Sequence, residues 1–171
     1  MKRWLLLDRD DTIIDDPGYL SDPDGLSFLP GAVEGLREFS RAGWPLVVVS
    51  NQSGIGRGYF EEAELALVHD RLRQRLAEGG IELTAIYYCP HTPDDNCACR
   101  KPKPELGIRA AVDLGLELKD AVMVGDKESD LEMGRALGVA FVAQITAKRP
   151  PSPLADGTYK SLLDLWRELK P

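Results

Sequence analysis

The feature that most constrains the fold is an apolar run near the N-terminus that ends in acidic residues. Residues 4–7 read Trp-Leu-Leu-Leu, which is typical of a strand buried on both faces of a parallel sheet. Asp8 and Asp10 follow at the carboxyl end of this predicted strand, the edge at which open α/β folds bind ligands. Two adjacent carboxylates repel each other unless a cation lies between them, and Mg²⁺ suits carboxylate and phosphate oxygens. The alternative for this segment alone is an acidic turn that caps a helix.

Strand-like and helix-like segments alternate along the chain, which predicts a parallel α/β sheet with crossover helices on both faces. Apolar, β-branched runs predict five strands, over residues 3–8, 45–49, 83–88, 121–124 and 139–143. Apolar residues at helical spacing predict helices over residues 30–42, 61–77, 105–114, 131–137 and 159–169. Glycine, proline and polar residues predict loops over residues 9–29, 50–58, 89–104 and 148–157.

Length and charge exclude several classes of protein. The 171 residues are enough for one α/β domain, and we expect a single domain over residues 1–171. The net charge of −7 and the lack of a long basic run argue against a broad nucleic-acid-binding face. The apolar run near the N-terminus is too short for a signal peptide, and no apolar stretch is long enough to span a bilayer. We therefore expect a cytoplasmic monomer with no membrane or nucleic-acid partner.

Three predicted strands end in polar, reactive residues. Asp8 and Asp10 follow the first strand, Ser50 and Asn51 follow the second, and Asp126 and Asp130 follow the fourth, in the acidic turn at residues 125–130. In a parallel sheet, these three turns lie along the same edge. Each turn alone is explained by ordinary capping, but their convergence predicts a phosphate-handling site.

These motifs resemble those of the haloacid dehalogenase superfamily of phosphatases. The resemblance implies a Rossmann-like fold without a large cap domain, with five parallel strands in the order 5-4-1-2-3. It also implies hydrolysis of phosphate monoesters with Mg²⁺ as the cofactor. The matching motifs are residues 8–12, Ser50-Asn51, Lys101 and residues 125–127.

The resemblance also implies a role for each motif residue. Asp8 would be the nucleophile that forms an aspartyl-phosphate, and Asp10 would be the general acid and base. Ser50 and Lys101 would hold the transferring phosphoryl group. Asp126 would complete the Mg²⁺ site together with Asp8 and the backbone carbonyl of Asp10. These residue types suit the chemistry, because the phosphoryl transition state carries negative charge that needs a cation and preorganised donors.

A second cluster falls in the proline-rich loop at residues 89–104. Cys89, His91, Cys97 and Cys99 have the spacing C-x-H-x₅-C-x-C. Three thiolates and one imidazole form a complete tetrahedral zinc set, which leaves no position for water and therefore predicts a structural ion. Zinc would order a loop that has little core of its own. The alternatives are unrelated thiols or an iron–sulfur centre, which usually has four cysteines.

This loop runs directly into Arg100-Lys101-Pro102, an arrangement similar to that of the D,D-heptose 1,7-bisphosphate and histidinol-phosphate phosphatases of the superfamily. The resemblance implies a small phosphorylated metabolite as substrate. The arginine is expected to recognise its distal end, where guanidinium suits a second phosphate. The residues expected to contact substrate are Asp16, Tyr19, Asn51, Gln52, Ser53, Arg100 and Lys127.

Asp11 stands where this subfamily usually has glycine, which bears on the substrate and not on the chemistry. His69 lies among charged residues of the helix predicted over 61–77, and we expect it at the surface.

The leading function is removal of the 7-phosphate from a heptose 1,7-bisphosphate. The alternatives are histidinol-phosphate or other small sugar-phosphate hydrolysis, and a phosphate-binding module without catalysis.

Overall fold

The computed structural model describes residues 3–170, in which strands and helices follow one another as in a doubly wound α/β protein. The strands are β1 (Trp4–Leu7), β2 (Leu46–Asn51), β3 (Ala85–Cys89), β4 (Ala121–Gly125), β5 (Phe141–Ile145) and β6 (Gly157–Tyr159). The helices are α1 (Ala32–Arg41), α2 (Ser53–Gly56), α3 (Glu62–Glu78), α4 (Glu105–Leu114), α5 (Glu128–Leu137) and α6 (Leu162–Leu169). Short 3₁₀ turns cover Pro23–Gly25, Pro93–Asp95 and Leu118–Asp120.

All the strands form one parallel sheet in the order β3-β2-β1-β4-β5-β6. The predicted parallel sheet is therefore confirmed, and its first five strands have the predicted order. The predicted number of strands is wrong, because the sheet has six and not five. The additional strand lies at the edge beside β5.

Because of the sixth strand, the last helix begins later in the chain than predicted. Residues 157–159 fell at the end of a predicted loop and the start of a predicted helix, but they pair in parallel with Ala143, Gln144 and Ile145. Helix α6 begins at Leu162, after the side-chain oxygen of Ser161 accepts a hydrogen bond from the backbone N–H of Asp164. This contact satisfies one of the free N–H groups at the helix start. The short helix α2 likewise lies within the predicted loop at residues 50–58.

Both faces of the sheet are buried, as the apolar strand sequences require. Side chains alternate along β1, so Leu5 and Leu7 join a core with α1, α3 and α6 on one face. Trp4 and Leu6 join a second core with α4 and α5 on the other face. Within residues 3–170, no helix is both long enough and apolar enough to cross a membrane.

The strand register places the reactive turns side by side. Leu7, the last residue of β1, lies opposite Val48 of β2 and Val124 of β4. The segments that follow these residues therefore leave the same edge of the sheet at the same level. The fold thus brings the predicted motifs together.

Candidate active site

Three carboxylates meet where β1 and β4 end. Asp8 follows β1 directly, Asp126 follows β4, and Asp130 lies in the first turn of α5. One oxygen from each lies within 4.8 Å of the others, and all three residues are buried. Gly125 permits this approach, because a Cβ added there would lie 2.2 Å from the Cβ of Asp130.

Lys101 is the buried cation of this cluster. Its Nζ lies 2.7 Å from an oxygen of Asp8 and 2.7 Å from an oxygen of Asp130, and it donates to the backbone carbonyl of Val49 at 2.8 Å. Burial alone would lower the pKa of Lys101, but the carboxylates of Asp130 and Asp8 raise it above its usual value. Lys101 therefore stays protonated at neutral pH and offsets part of the carboxylate charge.

The carboxylates nevertheless outnumber their cations. Burial raises the pKa of Asp8 well above its usual value, and Asp130 raises it further, although Lys101 opposes the shift. Burial also raises the pKa of Asp126, although a hydrogen bond from Arg149 to its Oδ2, at 2.8 Å, opposes the shift. Three buried carboxylates facing Lys101 and Arg149 leave a net negative charge, which favours the binding of a cation.

The residues present fit a magnesium ion. Oδ1 of Asp126 is buried and has no hydrogen-bond partner in the described part of the chain. Buried polar atoms are rarely left unpaired, so this oxygen is a ready ligand. Carboxylate oxygens are also the donors that Mg²⁺ prefers. The sequence placed Asp130 at this edge beside Asp126 without assigning it a role, and the structure brings its side chain into the cluster.

The Asp10 carboxylate is not part of this cluster and has its own hydrogen-bond partners. It accepts hydrogen bonds from Arg9, at 2.8 and 3.2 Å, and from Nε2 of Gln52 at 3.1 Å. Arg9 in turn contacts His69, whose predicted surface position is wrong, because its side chain is buried. The missed signal is spacing: His69 lies four residues after Leu65 and three before Leu72, next to the buried stripe of α3.

A cavity of about 340 Å³ opens beside these groups. It brings together most of the predicted site residues and adds Arg57 and Ser129, which no motif had marked. Ser50 and Asp126 are not among its lining residues; Ser50 is fully buried, and its hydroxyl accepts a 2.7 Å hydrogen bond from Gln52. The predicted site residues that line the cavity are Asp8, Asp10, Asp16, Tyr19, Asn51, Gln52, Ser53, Arg100, Lys101 and Lys127.

Asp11 adopts the left-handed conformation that glycine would supply. Its φ is 57°, a value that aspartate tolerates better than most residues. Its carboxylate accepts a hydrogen bond from the backbone N–H of Asp16 at 3.0 Å and pairs with Lys148 at 2.6 Å. The aspartate thus makes contacts with the loop at the rim of the cavity that a glycine would lack.

The four predicted zinc ligands also converge. Sulfur–sulfur separations are 3.6 Å for Cys89 and Cys97 and 3.8 Å for Cys97 and Cys99. Nδ1 of His91 lies 3.5 Å from the sulfur of Cys89 and 3.3 Å from that of Cys99. Usual zinc bond lengths in a tetrahedron give about 3.8 Å between sulfurs and about 3.6 Å between sulfur and nitrogen. The donor set and its spacing therefore fit zinc.

Asn51 joins this loop to the carboxylate cluster. Its side chain accepts a hydrogen bond from the backbone N–H of Lys101 at 3.0 Å and donates one to the carbonyl of the same residue at 3.2 Å. The loop is also closed by Arg100, which donates to the carbonyl of His91 at 3.3 Å. The position of Lys101 therefore depends on both the end of β2 and the cysteine-rich loop.

An open parallel sheet with buried carboxylates and a lysine at its carboxyl edge defines a class of α/β hydrolases that handle phosphate. A family model described as haloacid dehalogenase-like hydrolase matches residues 3–138, and the chain belongs to this family.

Particular relatives are similar over nearly the whole chain. A D-glycero-beta-D-manno-heptose-1,7-bisphosphate 7-phosphatase of Pseudomonas aeruginosa is 42% identical, over 90% of this chain and 89% of its own length. A protein of the same name from Haemophilus influenzae is 36% identical, over 99% of this chain and 98% of its own length. The crystal structure of a D,D-heptose 1,7-bisphosphate phosphatase from B. bronchiseptica, complexed with magnesium and phosphate, superposes with a TM-score of 0.88. It is 31% identical, over 98% of this chain and 97% of that one.

Proposed function

We propose that this protein is a Mg²⁺-dependent phosphomonoesterase that forms an aspartyl-phosphate on Asp8. The observation that carries the proposal is the convergence of Asp8, Asp126 and Asp130 with Lys101 beside a substrate-sized cavity. When bound, Mg²⁺ would supply positive charge that screens Asp8 from an anionic substrate and stabilises the transferring phosphoryl group. Asp8, Asp126 and the backbone carbonyl of Asp10 would hold the ion, and Asp130 lies close enough to contribute.

In the first step, an oxygen of Asp8 attacks phosphorus, and the bond between phosphorus and the substrate oxygen breaks. Asp10 donates a proton to that departing oxygen, which leaves as an alcohol. Lys101 places its ammonium group beside Asp8, where it would offset charge on the transferring phosphoryl group. Asp8 then carries the phosphoryl group as an acyl phosphate.

In the second step, water hydrolyses the aspartyl-phosphate. Asp10, now a carboxylate, accepts a proton from the water as its oxygen attacks phosphorus. The bond between phosphorus and Asp8 breaks, inorganic phosphate leaves and the Asp8 carboxylate is restored. One side chain thus serves as acid and then as base, which requires that Asp10 be held firmly beside the reacting oxygen.

The proposed substrate is D-glycero-D-manno-heptose 1,7-bisphosphate, from which the 7-phosphate is removed. The names of the relatives from P. aeruginosa and H. influenzae support this choice. The cavity supports it independently, because Arg57, Arg100 and Lys127 line it in addition to Lys101. Lys101 is already paired with buried carboxylates, so the other three cations are available for a second phosphate.

We also propose that Cys89, His91, Cys97 and Cys99 bind a structural zinc ion. The fit of their separations to a tetrahedral site supports this assignment. Its function would be to hold the loop that carries Arg100 and Lys101 against the cavity.

Phosphate release with Mg²⁺ tests the function, using the heptose bisphosphate, histidinol phosphate and several hexose monophosphates. We expect the highest kcat/KM for the heptose bisphosphate, with loss of the 7-phosphate seen by ³¹P NMR. Asp10→Asn should lower the rate by about 10²- to 10⁴-fold. Preference for histidinol phosphate would favour the alternative substrate, and equal rates for the variant and the parent would refute the acid/base role. A chain that binds phosphate without turnover would be a binding module.

A further inference from the structure

Arg9 is a completely buried cation between two residues of the proposed active site. Its side chain is 1% exposed, and it follows Asp8 directly in the chain. A buried charge is costly unless it is paired and hydrogen-bonded, so its partners indicate what it does. Those partners are Asp10, Gln52 and His69.

Two nitrogens of the guanidinium group donate hydrogen bonds to the Asp10 carboxylate. Nε donates to Oδ1 at 2.8 Å, and Nη2 donates to Oδ2 at 3.2 Å. This paired contact fixes the orientation of the carboxylate as well as its position. Nη2 also donates to Oε1 of Gln52 at 3.3 Å, which turns the amide so that its Nε2 donates to Asp10 at 3.1 Å and to Ser50 at 2.7 Å. Arg9, Asp10 and Gln52 therefore form a closed ring of hydrogen bonds.

His69 holds the far side of the guanidinium group. Nη1 of Arg9 lies 3.3 Å from Nε2 of His69, and the imidazole ring packs edge-on against Tyr88 with centroids 5.9 Å apart. Guanidinium can only donate hydrogen bonds, so Nε2 must accept and Nδ1 must carry the proton. Burial, together with the Arg9 charge, lowers the pKa of His69 to about 4. At neutral pH, His69 is therefore an uncharged acceptor that fixes the direction of Arg9.

We propose that Arg9 and His69 are positioning residues that hold Asp10 and Gln52 in the orientation needed for proton transfer. This inference rests on the acid/base role proposed above for Asp10. Neither residue lines the cavity, so each acts through its hydrogen-bond partners and not through contact with substrate. Arg9 lies within the motif at residues 8–12, but the resemblance implied no role for it, and His69 was expected at the surface. The two residues lie 60 positions apart in the chain.

Two substrates with different leaving groups test the proposal. The heptose bisphosphate releases an alkoxide that needs a proton, whereas p-nitrophenyl phosphate releases nitrophenolate, which leaves without one. A misplaced acid should therefore slow the first reaction much more than the second. The readout is kcat/KM for each substrate, and Asp10→Asn is the reference for complete loss of the acid.

Arg9→Lys keeps the charge but cannot make the paired contact with a carboxylate. We expect kcat/KM for the heptose bisphosphate to fall by about 100-fold and that for p-nitrophenyl phosphate by less than about fivefold. His69→Phe, which removes the acceptor, should show the same preference with a loss of about tenfold. His69→Gln, which restores an acceptor oxygen, should recover most of the activity.

Val68→Ala is the matched control, because Val68 precedes His69 on α3 and is fully buried in the apolar core. It should lower the thermal midpoint and leave the ratio of the two kcat/KM values unchanged. If Asp10→Asn shows the leaving-group bias and both Arg9→Lys and His69→Phe lack it, the positioning role is refuted while the proposed function stands. If the parent protein hydrolyses neither substrate, the proposed function and this inference fail together. Should Arg9→Lys not fold, the comparison of His69→Phe with His69→Gln decides the question.

Discussion

The carboxylate cluster and the cysteine-rich loop both gather potential metal ligands, but they are built in different ways. Asp8 and Asp126 extend from β1 and β4, which lie side by side in the middle of the sheet and are buried on both faces. Of the four thiol and imidazole ligands, only Cys89 belongs to a strand, and that strand, β3, lies at the edge. The other three follow in an irregular segment with one 3₁₀ turn.

This difference determines what each site needs from its ion. The carboxylate cluster is held by the hydrophobic core and by Lys101, so its shape should persist without a metal. Its carboxylate charge is not fully neutralised, and this charge destabilises the metal-free folded state. The loop has no comparable core, so under the proposed zinc site its folding should depend on metal binding. Removing the ion from the first site should leave its structure intact, whereas removing the ion from the second should loosen the loop.

Asp8→Asn should cause the largest loss of activity, and it should raise the stability of the metal-free protein. Loss of the nucleophile should lower kcat by about 10⁴-fold or more. Because burial raises the pKa of Asp8 above its usual 3.8, its ionisation costs stability, and the metal-free folded state weakens as pH rises from about 4 towards the raised pKa. The asparagine removes this cost and leaves Lys101 paired with Asp130. Thermal melting of the metal-free proteins at pH 7 should show a midpoint a few degrees higher for the variant.

Asp70→Asn is the control for this experiment, because Asp70 is an exposed acid on α3. It should change neither kcat nor the midpoint. The pH dependence provides a further check: the decline in stability above about pH 4 should be shallower in Asp8→Asn than in the parent. A lower midpoint for metal-free Asp8→Asn would contradict the view that this site is strained by its own charge.

The carboxylate cluster was predictable because it follows from the core. The apolar runs that become β1 and β4 identify buried strands, and the acidic residues after them must then share one edge. The position of Asp130 at this edge was predictable in the same way, but its place among the possible metal ligands was not, because a residue in the first turn of a helix is equally explained as a cap. It does cap α5, through a 3.1 Å hydrogen bond from the backbone N–H of Lys127, while its other oxygen faces Lys101.

The parts that the sequence did not reveal depend on contacts between distant segments. Residues 157–159 form β6 only because they pair with β5, and three residues carry no detectable periodicity. The contact between Arg9 and His69 joins the end of β1 to the middle of α3, and no local pattern marks it. The cysteine-rich loop is the opposite case: after Cys89 it has only one 3₁₀ turn, but the spacing of its cysteine and histidine residues is visible in the sequence.

Lys101→Met should break the connection between the two regions. The change removes the cation that contacts Asp8 and Asp130, so kcat/KM should fall by about 10²- to 10³-fold. Metal-free stability should fall by about 3–5 kcal/mol, because buried carboxylates lose their partner. Denaturant unfolding of the metal-free protein measures this loss, with the exposed Lys119→Met as the control. An unchanged free energy of unfolding would show that Lys101 does not balance the cluster.

Removal of zinc should act on the loop and reach the active site only indirectly. In Cys97→Ser, we expect loss of bound zinc by mass spectrometry and a fall in kcat/KM of about 10- to 100-fold, because Arg100 and Lys101 move with the loop. Amide hydrogen exchange should speed up across residues 89–104 and remain slow in β1 and β4. Equal acceleration in the two regions would mean that the loop is part of the cooperative core.

The smallest effects should come from paired glycine substitutions in the two regions, at positions with similar backbones. Asp11 has a φ of 57° beside the carboxylate cluster, and Asn96 has a φ of 47° in the cysteine-rich loop. Glycine relieves strain at both positions but gives the unfolded chain more freedom, so these backbone effects largely cancel. Asn96→Gly should therefore change the free energy of unfolding by less than about 0.5 kcal/mol.

Asp11→Gly should cost about 1 kcal/mol, because it also loses the hydrogen bond from the Asp16 N–H. The ion pair with Lys148 adds little, since that lysine is substantially exposed. Urea unfolding measures both variants, and kcat should stay within about threefold of the parent in each because neither backbone changes course. A larger loss in the free energy of unfolding for Asn96→Gly than for Asp11→Gly would show that side-chain contacts hold the cysteine-rich loop in place. The loop would then depend less on zinc than expected for a segment without a core.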